Sequence, residues 1–262
     1  MNPLLEVPTA WLSDFVVVSA RVGGIMAFAP VFGAANIPVR LKVLLAAALS
    51  WVFTGFLHPL SYEAAPTSAG LIIQLAAEIT VGAAIGFTAA IIFEIVIFGG
   101  YLIDYFIGFG FINIVDPQSG SSISIFAFFY SYLALIVFLV TDAHHIILEV
   151  MMRSYDLIPV FGTELHAEGL NRILDFTAGI FYIGFQIAAP MFLIMFTIDF
   201  SLGMISKTVP QLQVLVVGFP FKISVGLLSV ALVLRPTFEF FMGLLTTYRE
   251  NLFWLIKYFG AG

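Results

Sequence analysis

The chain has 262 residues, 61% of them hydrophobic and only 10% charged, with a net charge of -6. Soluble domains carry about 25% charged residues, so this composition excludes a soluble fold and marks an integral membrane protein. The negative balance argues against a nucleic-acid partner, and the lack of cysteine removes disulfides, thiolate metal sites and cysteine nucleophiles.

The opening stretch "MNPLLEVPTAWLSDFVVVSARVGG" does not read as a secretory signal. Glu6 precedes the apolar run without any Lys or Arg, and Arg21 interrupts it. The segment is expected in the mature protein, and one domain is expected over residues 1–262. Apolar runs follow near 11–32, 43–57, 71–107, 123–141, 176–198 and 212–234, with a weaker amphipathic piece at 238–259. Their continuity, without the alternation of barrel strands, predicts helices throughout. The expected fold is an all-α membrane protein of helical hairpins with broken or kinked helices.

Only 123–141 and 176–198 read as plain spans of about 20 residues. The 71–107 run is too long for one span and short for two, so one long helix and a hairpin are both open, with "FGG" at 98–100 a candidate kink. Arg40, Lys42 and Lys207 favour cytoplasmic ends, while Arg153 and Arg172 in an acidic loop leave the orientation open.

Charges lie within or beside these runs: Asp14, Arg21, Glu78, Glu94, Asp104, Asp199 and Lys222. Each costs about 2.5–3.5 kcal/mol at the bilayer centre. Along 78–97 the Ile, Val and Phe residues return roughly 3–6 kcal/mol and the two glutamates cost about 5–7 if deep. Such a helix is shielded by protein, lines water, or lies outside lipid.

Several constellations carry two readings. Gly82 and Gly86, with Ala90, bare one helix face for close packing, either within the chain or against another subunit. In "TDAHHIILEV", Asp142, His145 and Glu149 share a face like half of a carboxylate metal site. A second such helix is lacking, so a polar helix end is preferred and no metal or cofactor is expected. "GFGFINIVDPQSGSS" (108–122) is a connector or a plug. Its Phe109, Phe111, Ile112 and Ile114 supply bulk, and Gly108 and Gly110 supply backbone freedom. Pro210 and Pro220 predict helix breaks, tolerated at depth where protein or a cavity covers the backbone. The motifs of serine hydrolases, zinc peptidases and phosphate-binding loops are missing, and no catalytic residue is expected.

Taken in order, "ARVGGIMAFAPVFGAANIPVRLKVLLAAALS" (20–50), "EITVGAAIGF" (78–87), "GGYLIDYFIGFGFINIVDPQSG" (99–120), "DAHHIILEVMMRSYDLIPVFG" (142–162) and "AAPMFLIMFTIDFSLGMISKTVPQLQVLVVGFPFKI" (188–223) resemble the FliR family of flagellar export-gate proteins and its SctT-type injectisome relatives. The resemblance covers nearly the whole chain. Gln213 and Ala143 depart mildly from the family pattern, and "GFPFKI" leans toward the flagellar branch.

The resemblance implies a bacterial inner-membrane subunit of the flagellar basal body. It would be packed with FliP-like and FliQ-like subunits in a helical assembly, with an FlhB-like protein at the entrance and unfolded polypeptides as cargo. It places a pore plug on 108–122. It also implies neighbouring subunits as partners for Glu78, Glu94, Asp104, Asp199 and Lys222, and we group Arg21 and Lys207 with these interface charges. A secondary transporter and a metalloenzyme using His145 are the rival readings.

Overall fold

The computed structural model describes residues 9–30, 32–33, 37–65, 67–109, 124–162, 167–208 and 214–260. Among the described residues seven α-helices follow one another: α1 Thr9–Phe28, α2 Val39–Leu57, α3 Ser68–Ile107, α4 Ile125–Val140, α5 Ala143–Leu157, α6 Ala167–Thr208 and α7 Val214–Gly260. No strand occurs among the described residues, as the continuous apolar runs predict. Five of the helices are long and apolar enough to cross a membrane: those covering Ala10–Phe28, Val39–Leu57, Ser68–Ile107, Glu168–Thr208 and Gly218–Phe259.

Run 71–107 is one helix. Between Ser68 and Ile107 no proline or polar turn interrupts the pattern, and α3 continues for 40 residues. Gly99 and Gly100 do not end it. Their bare faces admit neighbours instead: a Cβ on Gly100 would lie 2.6 Å from Ala127 Cα, and one on Gly99 would lie 2.9 Å from the Ile187 side chain.

Pro220 is not a helix break. It sits early in α7, which continues through it for 47 residues. One missing N–H costs a single helical bond, and the ladder resumes on both sides; Pro236 and, in α6, Pro190 are carried in the same way. From Val214 onward, the runs at 212–234 and 238–259 are therefore one helix. Pro210 lies outside the described residues, between the end of α6 and the start of α7.

Packing groups the chain into two compact units, one of Met1–Ile91, Asp142–Phe176 and Thr247–Gly262, the other of Ile92–Thr141 and Thr177–Thr246. In the first, α1 and the start of α3 meet backbone to backbone. A Cβ on Gly82 would collide with Arg21 O, one on Gly86 with Ile25 O, and one on Gly24 would lie 2.9 Å from Ala83 N. The small-residue face of α3 is therefore used within the chain. Trp11 and Trp51, with ring centroids 4.4 Å apart, join α1 to α2. In the second unit Phe93 meets Phe138 at 5.2 Å, joining α3 to α4.

Candidate functional site

The first unit holds a buried ion pair. Arg21 on α1 and Glu78 on α3 are both fully buried, and Arg21 Nε donates to Glu78 Oε2 at 2.6 Å. The remaining guanidinium donors reach the end of α5: Nη1 to Ser154 O at 2.9 Å and Ser154 Oγ at 3.1 Å, and Nη2 to Ile158 O at 3.3 Å. Glu78 Oε1 accepts from Phe161 N at 2.9 Å. The Tyr155 ring lies 4.2 Å from the guanidinium carbon. Phe161 adopts φ 61, a left-handed conformation uncommon outside glycine, which carries its N–H to the carboxylate. The expected shield for these two charges was a neighbouring subunit; the structure supplies it from the chain itself, because α1, α3 and the α5 end converge on them.

The second unit holds a different carboxylate. Asp104, in the last turn of α3, is 5% exposed. Its Oδ2 accepts from Ser124 Oγ, from Phe126 N at 3.0 Å and from Ala127 N at 3.4 Å. Its backbone O accepts from Gly108 N and Phe109 N, both at 3.0 Å. Gly108 has φ 98, the left-handed residue that closes a helix. The Phe109 ring lies 6.0 Å from that of Phe126. Of the residues expected in a plug, Gly108 and Phe109 are thus on the helix end, while Gly110, Phe111, Ile112 and Ile114 lie outside the described residues.

Among the other expected charges, Lys222 Nζ donates to Asp199 Oδ2 at 2.7 Å, joining α7 to α6. Glu94 and Lys207 are exposed and have no ion-pair partner among the described residues. Lys207 stands in the last turn of α6, where a cation suits the helix dipole.

Sequence reasoning left other polar ties unread. Asp14, 4% exposed, accepts from the backbone N of Leu60 at 3.2 Å and lies 2.6 Å from His58 Nδ1. Burial raises the Tyr62 hydroxyl above the ordinary tyrosine range, a Ser13 hydrogen bond offsets part of this, and Asp14 adds to the rise. Glu149 accepts from Arg249 at 2.8 and 3.0 Å, so it is engaged elsewhere than at a metal. Ligand atoms of Asp142, His144 and His145 lie within 4.8 Å of one another; His144 takes the place that the helical spacing gave to Glu149.

The family model for "Bacterial export proteins, family 1" matches residues 12–248. The chain belongs to this family. Its similarity to flagellar relatives extends over most of their length. It is 31% identical over 245 residues to the flagellar biosynthetic protein FliR of Bacillus subtilis, covering 91% of each chain. Against FliR of Escherichia coli it is 26% identical, covering 83% of each, and against FliR of Aquifex aeolicus 25%, covering 78% of each. In this export family the chain is a helical protein with membrane-spanning capacity, and the Arg21–Glu78 and Asp104–Ser124 ties fall inside the matched region.

Proposed function

We propose that this chain is a non-catalytic structural subunit of the flagellar type III protein-export gate in the bacterial inner membrane. In this reading residues 1–262 form one export-gate domain that packs with FliP-like and FliQ-like subunits around a closed pore, with an FlhB-like protein at the cytoplasmic entrance. Unfolded flagellar subunits pass through, and residues 108–122 plug the pore until they do. The family match over residues 12–248 carries the reading. The relatives named above are flagellar, which favours that branch over the injectisome.

Helix lengths give physical support. Helices of 40, 42 and 47 residues contain about 60–70 Å of helix at 1.5 Å per residue, roughly twice the hydrocarbon core of a bilayer. Lipid alone does not cover such lengths; partner subunits do. Glu94 and Lys207, exposed and without an ion-pair partner among the described residues, are the charges we assign to subunit contacts, while Asp199 and Lys222 form a pair that a neighbour can share.

Co-purification is the test. The tagged chain, expressed from its native operon, comes out of membranes with FliP-like and FliQ-like subunits. A secondary transporter, the rival reading, comes out alone and folded. That result would remove the gate assignment.

A further inference from the structure

We propose that Asp104 is the positioning residue that staples the end of α3 to the start of α4, and so fixes the spacing of the two described ends that flank residues 110–123. Its effect on leak rests on the plug reading; the staple itself does not.

Donors from both sides of the segment converge on this residue. The backbone carbonyl of Asp104 takes Gly108 N and Phe109 N, closing α3. The carboxylate takes Ser124 Oγ, Phe126 N and Ala127 N, opening α4. A carboxylate suits the N–H groups and positive end of a helix N-terminus. Yet α4 already has its own cap, since Ser124 Oγ accepts from Ala127 N. What Asp104 adds is a connection from that cap to the last turn of α3.

A second contact reinforces the first. Gly100 lies one helical turn before Asp104, on the same face. A Cβ at Gly100 would sit 2.7 Å from Ala127 N and 2.8 Å from Phe126 O. The two positions of α3 therefore grip the same two residues of α4, Gly100 by close approach and Asp104 by hydrogen bonds. The Phe109 and Phe126 rings close the same junction.

The test uses the assembled gate. The chain has no cysteine, so spin labels on cysteines introduced at Tyr105 and Ile125, both exposed, report the spacing of the two ends. The parent complex gives a narrow spacing. Asp104→Asn keeps an oxygen acceptor for Phe126 N and Ala127 N and stays narrow. Asp104→Ala broadens the distribution about twofold and raises ion leak several-fold. Asp104→Ala combined with Ser124→Asp restores a carboxylate cap to α4 without the link to α3, and it stays broad.

A narrow spacing in Asp104→Ala overturns the staple. Recovery in the double variant also overturns it, because Asp104 would then be only a cap. If Asp104→Ala does not assemble, Ser124→Ala removes one link and broadens the spacing less; no broadening there overturns the staple equally. Broadened spacing with unchanged leak leaves the staple standing and removes the plug reading instead.

Discussion

Arg21 and Glu78, 57 residues apart in sequence, face each other at 2.6 Å with no solvent access to either side chain. The pair is closed on all sides by protein acceptors and donors: Ser154 and Ile158 receive the guanidinium, and Phe161 N serves the carboxylate. A buried charge left alone costs several kcal/mol, and a buried pair stabilises only when its other hydrogen bonds are made. Here they are made, by three segments of one compact unit. The pair therefore ties α1, α3 and the end of α5 together.

Neutralising one partner strands the other. Glu78→Gln should cost about 3–5 kcal/mol, seen as lower chain abundance in membranes and a lower thermal aggregation temperature. Arg21→Met with Glu78→Leu removes both charges and should regain a large share of the loss, since apolar replacement of a whole buried pair is often near neutral. Glu78→Gln with parental stability would mean that the pair does not hold the unit together.

Two adjacent glycines give a sharper comparison. A Cβ on Gly23 meets nothing within 4 Å, while one on Gly24 meets Ile79 O and lies 2.9 Å from Ala83 N. Gly23→Ala should be neutral or stabilising by up to about 1 kcal/mol through helix propensity. Gly24→Ala forces α1 away from α3 and should cost roughly 1–3 kcal/mol. Thermal stability of the two variants in detergent checks the order; equal values would contradict the close crossing of α1 and α3.

How much of this could be read in advance depends on range. The helical class was legible because continuous apolar runs admit little else in a bilayer. The shielding of Glu78 was legible too, since its insertion cost is local. Its partner was not: nothing in a local pattern links Arg21 to position 78, or Asp14 to His58 across 44 residues. Gly99 and Gly100 read as a candidate kink because a bare backbone permits bending and close packing alike, and the close packing was not legible because Ala127 and Ile187 lie far along the chain. Pro220 read as a break for a similar reason. Proline removes one bond, and whether the helix resumes depends on the packing beyond it. The Asp104 tie needed Ser124, on the far side of a segment whose glycines and polar residues carry no helical period.

Glu94 tests the assembly from outside the fold. It is exposed on α3 without an ion-pair partner among the described residues, so Glu94→Gln should leave the stability of the isolated chain within about 0.5 kcal/mol. Recovery of FliP-like and FliQ-like subunits with the tagged variant should fall. Parental recovery would take Glu94 out of the subunit contacts and leave Lys207 as the exposed charge to be tried next.

Removing the bulk of the proposed plug separates its function from the fold. Deleting residues 109–114 takes away Phe109, Phe111, Ile112 and Ile114 while leaving Asp104, Gly108 and Ser124 in the chain. Shortening a connector changes loop-closure entropy only slightly, so the complex should still assemble. Ion conductance through the assembled gate in vesicles should rise several-fold over the parent, because Val115 alone is left of the apolar bulk in 108–122. Conductance at the parental level in an intact complex would mean that something other than residues 109–114 closes the pore, and the plug would have to be sought elsewhere in the assembly.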